Sequence, residues 1–284
     1  MKNIGFGILL LLCGTSMIAQ ETTEYSSETF KDTRIVNGQS VETNEEGQLK
    51  FIISHRFGLI SQGINNFFGL DEASIRLGLD YGVTDRFTIG IGRSSFEKTV
   101  DGFAKYKLLR QSVGAREMPI TMTWQSNFAI RTADFPDNPG EEYDISNRMT
   151  YGHQLMIARK FCDAFSAQIM PTFIHKNLVD TKAEKNDLFA IGAATRYQLS
   201  KIISFQAEYY YVLPDQLGDQ FTNSLSLGFD IQTKSHVFQL HVSNSQGMID
   251  KFFISETRQD FFEGDVYFGF NISRDFQLKG KKYK

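Results

Sequence analysis

Residues 73–96 (ASIRLGLDYGVTDRFTIGIGRSSF) place apolar and polar side chains in strict alternation on both sides of a short turn. Ala73, Ile75, Leu77, Leu79, Tyr81 and Val83 alternate with Ser74, Arg76, Gly78, Asp80 and Gly82, the period of two that sends successive side chains to opposite faces of a strand. Thr84-Asp85-Arg86 reverses the chain, and Phe87, Ile89 and Ile91 then alternate with Thr88, Gly90 and Gly92, so the stretch reads as a β-hairpin. Each arm is about 10 residues, the length a tilted strand needs to cross a bilayer. A chain that repeats such a hairpin is constrained to a sheet with one lipid-facing wall.

The repetition is present. Leu49, Phe51, Ile53, Phe57 and Leu59 oppose Lys50, Ser54, Arg56 and Gly58; Val100, Ala104, Tyr106 and Leu108 oppose Asp101, Phe103, Lys105 and Lys107. Comparable two-faced runs begin near Ile120, Tyr151, Phe165, Phe189, Phe205, Leu225, Phe238 and Val266. Turns at Thr84, Cys162, Ser200 and Lys234 are short, whereas connections at Gln62, Pro136, Thr181, Asp215 and Met248 are long, the asymmetry of outer-membrane barrels. The expected fold is all-β: a transmembrane antiparallel up-and-down β-barrel over residues 48–278, with about 12 strands, an even number as such barrels have. Pro171 cannot donate to a ladder, so a kink or bulge is expected there.

The flanks divide simply. Residues 1–19 read as a signal peptide, with Lys2, the apolar run Ile4 to Leu12 and the small-residue end Ser16 to Ala19; Cys13 follows Leu12 rather than a small residue, so lipidation is not expected. Export and a barrel together place the protein in the outer membrane of a Gram-negative bacterium. Residues 20–47 form a polar N-terminal segment, of which Glu21 to Thr29 reads as disordered and Phe30 to Gly47 as either a plug inside the barrel or a linker. Residues 279–284 are a basic tail. With a net charge of −3 and no other basic run, the chain is not expected to bind nucleic acid. Only Cys162 remains after the leader, so no intramolecular disulfide can form.

The runs Ser54-His55-Arg56-Phe57-Gly58, Lys105-Tyr106-Lys107-Leu108-Leu109-Arg110-Gln111, His175-Lys176-Asn177-Leu178, His236-Val237-Phe238-Gln239-Leu240, Asn244-Ser245-Gln246-Gly247-Met248 and Gly269-Phe270-Asn271-Ile272-Ser273-Arg274 resemble an uncharacterised family of exported bacterial β-barrel proteins, a domain of unknown function. The resemblance runs from about Phe30 to Leu278. It implies the barrel fold and an outer-membrane address, and it brings no catalytic or binding residues with it.

The polar faces supply the candidate site. Arg56, Arg76, Asp80, Lys105, Lys107, Arg131, Arg196, Glu208, Asp230 and His241 are expected to line the lumen, together with Lys50, Asp101 and Asp265. In a porin-like channel such groups select small solutes by charge; in a narrow or plugged barrel they pair across the lumen and close it. A structural or partner-docking barrel is the alternative, with its protein partner unknown.

A third reading is a lipid hydrolase. His241-Val242-Ser243-Asn244 is similar to the His-x-Ser-Asn run of outer-membrane phospholipase A, in which that His and Ser act as base and nucleophile. Here Leu240 and Val242 take the lipid side, the next residue is Ser245 rather than Gly, and no Asn stands near Ser255. No catalytic residue is therefore assigned. His55 and His153 sit on apolar faces and His175 at a strand end, without metal-ligand spacing, so no metal or cofactor is expected. The expected partners are outer-membrane lipid and a small-molecule solute.

Overall fold

The computed structural model describes residues 22–135, 143–179, 181, 182 and 184–279. The signal-peptide reading of residues 1–19, the Pro- and acid-rich loop at residues 136–142 and the basic tail beyond Lys279 lie outside the described residues.

The strands are β1 (Thr23–Tyr25), β2 (Gln48–Leu59), β3 (Ala73–Thr84), β4 (Phe87–Ser94), β5 (Thr99–Leu109), β6 (Ser112–Gly114), β7 (Thr121–Arg131), β8 (Met149–Lys160), β9 (Phe165–Lys176), β10 (Asp187–Gln198), β11 (Ile203–Val212), β12 (Ser224–Gln232), β13 (His236–Ser243) and β14 (Tyr267–Gln277), with one short helix, α1 (Asp250–Ser255). Twelve of these strands, all but β1 and β6, close a single barrel in which sequence neighbours pair and β14 returns to β2. Every described pairing is antiparallel, and the last one sets Ile272 against Ile53 and Asn271 against Ser54. Closure removes the free edges that an open sheet would present to lipid.

The alternation read from the sequence decides which wall each side chain joins. Ile75, Leu77, Leu79, Ile89, Ile91, Ile169 and Ile191 are exposed along the outside, where water would penalise them and hydrocarbon does not. Aromatic rings gather near both ends of this band: Phe87, Tyr106, Phe165 and Tyr197 at the end with the short turns, and Phe57, Phe268, Tyr151 and Phe189 at the end with the long loops. Phe57 and Phe268 stack at 5.8 Å, and such rings suit an interface that is half wet.

The outward histidines are accommodated by local partners. His55 stacks flat on Phe270 at 4.9 Å. His153 Nδ1 lies 2.9 Å from the Ser126 hydroxyl, which also accepts the Trp124 indole N–H at 3.0 Å, so these polar atoms on the lipid side satisfy one another. His175 Nδ1 sits 2.6 Å from Asp187 at the loop end.

Four expectations are corrected. Thr23–Tyr25, inside the stretch read as disordered, forms β1 and pairs with β6, because the long turn after β5 offers it a free backbone edge. Pro171 causes no bulge: β8 and β9 keep one register on both sides of it, from Gln154↔Thr172 to Ile157↔Ile169, with the ladder lapsing between. Register shifts fall instead at Gly82/Thr84, Lys107/Leu109 and Tyr267/Gly269. The connection from Ser245 to Glu263 is not a plain loop; α1 carries Phe252, Phe253 and Ile254 into the barrel mouth, where they are buried. Asp265, expected on the lumen wall, precedes β14 and donates its backbone N–H to the Asp260 carbonyl at 3.2 Å.

The barrel is filled. On β8 to β11 the inner wall carries an apolar patch, where Met156, Met170, Ile174, Leu188 and Tyr210 pack against Phe30, Ile35 and Val41 of the N-terminal segment and against Phe253 and Ile254 of α1. The remaining wall is polar, and the N-terminal segment turns its polar side toward it.

Candidate functional site: the occupied lumen

Residues 33–40 fold back on themselves inside the barrel. Ser40 donates its backbone N–H to the Thr33 carbonyl at 2.9 Å and Ile35 to Gly38 at 2.8 Å, with Arg34 and Gln39 bridging between. The result is a small hairpin whose tip is Val36-Asn37-Gly38. A tip this tight leaves its amides unpaired within the segment, so the wall must satisfy them.

Glu208 on β11 does so. Its carboxylate accepts the backbone N–H groups of Val36 at 3.2 Å, Asn37 at 2.7 Å and Gly38 at 3.1 Å. Successive amides converging on one anion form a nest. Gly38 is required by close approach: a Cβ there would lie 2.1 Å from the Tyr210 hydroxyl.

The Asn37 side chain is read by three strands at once. Its amide donates to Ser226 Oγ at 2.9 Å and Ser243 Oγ at 3.3 Å, and its oxygen accepts from Arg56 Nη2 at 2.7 Å. Arg56 Nη2 also lies 3.0 Å from His241 Nε2, while Arg56 Nη1 donates to the Ser245 carbonyl. Beside the tip, Gln239 donates to the Ile35 carbonyl at 2.6 Å and Asn271 to the Val36 carbonyl at 3.0 Å.

Further down the hairpin, wall cations meet hairpin oxygens. Lys105 donates to Gln39 Oε1 at 3.0 Å and to the carbonyls of Ser40 at 3.2 Å and Thr33 at 3.4 Å. Lys50 pairs with Asp32, which also accepts the Ser273 hydroxyl; Lys107 approaches Glu42 at 3.4 Å. Arg196 donates to the carbonyls of Glu28 at 2.6 Å and Thr29 at 3.3 Å. Gln168 completes the seat by donating to Gln39 O at 2.9 Å and accepting from Val41 N at 2.8 Å.

Above the hairpin, α1 is anchored by Asp250, which accepts from Gln125 Nε2 at 3.1 Å and Asn127 Nδ2 at 2.5 Å. Lys251 reaches Glu97 and Glu256, each at 3.0 Å. Burial pushes the Asp250 carboxyl up to about 6 despite Arg34, with Asp101 adding to the rise. Burial lowers the Lys251 ammonium, and Glu256 and Glu97 more than restore it, holding it above its ordinary value. Between hairpin and helix remains a cavity of about 20 Å³, room for one water, lined among others by Arg34, Gln39, Asp101, Gln125, Asn127 and Asp250. Lys251 borders both this cavity and a second of about 40 Å³ at the loop end, beside Glu97, Arg131, Arg148 and Glu256.

Residues 30–276 match the family model described as a membrane bound beta barrel domain, DUF5777. The chain belongs to this family of membrane-bound β-barrels. Among solved structures, the DUF5777 barrel is similar to the KdgM porin, at 10% identity over 80% of this chain and 99% of that one, with a TM-score of 0.50. It is also similar to the NanC porin, at 10% identity over 81% and 100% with a TM-score of 0.49, and to an outer membrane channel from Pseudomonas putida F1, at 12% identity over 83% and 98% with a TM-score of 0.46. At such identities the KdgM likeness speaks to fold alone: that of an outer-membrane porin barrel. No curated protein matches the chain by sequence.

Most of the residues named from the sequence stand inside the DUF5777 barrel. Arg56, Arg76, Asp80, Lys105, Lys107, Arg196, Glu208, Asp230 and His241 are all buried in its lumen. Arg131 sits at the loop-end rim, 3.5 Å from Glu97. Arg76 pairs on the wall with Asp101, its Nε 2.9 Å from Oδ1, and Asp230 is held by Gln206 and by Gln239 at 2.8 Å.

His241 and Ser243 face the lumen under the hairpin tip, at 2% and 0% exposure. A base whose ring nitrogen abuts an arginine and a serine bonded to Ser226 at 2.9 Å form no pair open to lipid, so the geometry does not assemble a hydrolase there. Asn37, Ser226, Gln239 and Asn271 were missed as site residues. They are uncharged, and nothing in a strand's alternation marks one inward polar residue above the next.

Proposed function

We propose that this protein is a porin-like channel for small solutes in the outer membrane of a Gram-negative bacterium, closed at rest by its own N-terminal hairpin. The observation that carries the reading is the chemistry of the hairpin's seat. Lys50, Arg56, Lys105, Lys107, Arg196 and Glu208 meet the hairpin through charge-assisted hydrogen bonds. Without the hairpin these groups would need water in its place, so the wall is built to be wetted when the hairpin leaves.

The route past α1 is polar too. Once Arg34 and Gln39 withdraw, the cavity beside Asp101, Gln125 and Asp250 joins the lumen, and Lys251 connects it to the space at the loop-end mouth.

Single-channel recording in a planar bilayer tests this. The intact chain is expected to conduct little, and a chain lacking residues 30–47 to conduct steadily. A large, constant conductance from the intact chain would discard the plug; silence from both forms would favour the docking barrel.

A further inference from the structure

We propose that the solutes this channel passes are small anions bearing carboxylates, and that the hairpin closes the pore by imitating them. The proposal rests on the channel reading above and names the solute class for that same lumen.

The hairpin and the wall are complementary in charge. Residues 28–46 carry five carboxylates (Glu28, Asp32, Glu42, Glu45, Glu46) against two cations (Lys31, Arg34). Five wall cations, on strands spread around the barrel, hold hairpin oxygens: Lys50 the Asp32 carboxylate, Lys107 the Glu42 carboxylate, Lys105 and Arg196 backbone carbonyls, and Arg56 the Asn37 amide oxygen. When the hairpin leaves, all five lose an oxygen ligand at once.

Wall acids replace only part of what is lost: Lys50 keeps Asp275 of β14 at 3.4 Å. Asp101 remains paired with Arg76, and Asp230 remains held by Gln206 and Gln239. Asp80, buried with neither carboxylate oxygen hydrogen-bonded, Glu208, freed from the hairpin amides, Asp230, whose amide partners are neutral, and Asp275 beside Lys50 offset four of the five cations at most. The vacated space is therefore bordered by a majority of cations that were satisfied by carbonyl and carboxylate oxygens. A mobile carboxylate supplies the same oxygens in the same charge state, and such a field raises the local concentration of anions.

The experiment uses the full chain with the hairpin loosened. Asp32→Asn with Glu42→Gln removes the segment's two ion pairs with the wall, and Gly38→Val displaces its tip without changing any charge. Folding of each is checked by the heat-dependent shift in gel mobility. Under a potassium chloride gradient, the reversal potential of both variants is expected on the chloride side, and added succinate is expected to reduce the chloride current by occupying the cationic wall. Lys105→Glu with Lys107→Glu, added to either background, should move the reversal potential toward potassium. A potassium-side or zero reversal potential in the loosened variants overturns the anion assignment while leaving a channel; chloride preference unaffected by succinate overturns the carboxylate class. Absence of current from folded barrels in every form overturns the channel reading beneath it.

Discussion

The Glu208 carboxylate accepts the backbone N–H of Asn37 at 2.7 Å, joining a barrel strand to the turn of a hairpin 171 residues away in sequence. The amides of Val36 and Gly38 flank that bond, so one side chain saturates the whole tip. Glu208→Gln keeps the shape but removes the charge and turns an N–H₂ toward some of these donors. Leaving buried amides unsatisfied should weaken the tip's seat by about 1–3 kcal/mol. Faster hydrogen exchange at residues 36–38 is the expected result, with the barrel's heat-dependent gel shift retained. Unchanged exchange would mean that the nest does not hold the tip.

Gly38→Val tests the same contact by bulk. Its Cβ would fall 2.1 Å from the Tyr210 hydroxyl and 3.3 Å from Glu208 Oε2, and Tyr210 is itself fully buried against Phe253 at 5.0 Å. The ring has nowhere to retreat, so the hairpin must move. Limited proteolysis within residues 30–44 should become faster in this variant than in the parent, while the strands stay protected. Equal rates would show that the tip tolerates the added volume.

The strands were legible because lipid and lumen impose opposite demands on alternate residues, and β3 and β4 obey them from Ala73 to Ser94. The lumen was legible only in part. Met156, Met170 and Leu188 face inward on strands whose outward residues are also apolar, and a run apolar on both sides does not say which side is filled. The hairpin was less legible still. Residues 30–47 have no period because each residue answers a different wall residue, Asn37 to Arg56, Val41 to Gln168, Asn44 to Thr88, and those partners are distant in sequence.

Substitutions on adjacent residues of β12 separate the two walls. Leu227 faces lipid and pairs with Ala207 and Val242; Leu227→Arg should cost about 2–4 kcal/mol where the site is near the bilayer midplane. The alternation alone suggests that Ser226→Arg would be milder. The structure alters that expectation, because Ser226 has no exposure and bonds both Asn37 and Ser243. Ser226→Arg should therefore expel the hairpin, giving higher conductance with little loss in urea stability of the detergent-solubilised barrel. A loss equal to that of Leu227→Arg would mean that the hairpin and barrel unfold as one unit.

The docking of α1 should depend on pH through Asp250. Its carboxyl is buried between Gln125 and Asn127, and burial pushes it up to about 6, against the pull of Arg34 and Arg76 and with Asp101 adding to the rise. An undocked loop would return it to the ordinary carboxylate value of about 3.9. The docked helix thus binds the proton more tightly, so docking strengthens as pH falls from about 6 toward 4 and levels off below that, where both states are protonated. As pH rises through 6, docking weakens. In the Gly38→Val background, where the hairpin no longer dominates the conductance, current at pH 5 should be smaller than at pH 7. Asp250→Asn keeps one carbonyl acceptor, removes the titrating group and should flatten that profile near its low-pH level. If Asp250→Asn leaves the pH dependence intact, the titrating group lies elsewhere and α1 does not narrow the mouth through this carboxyl.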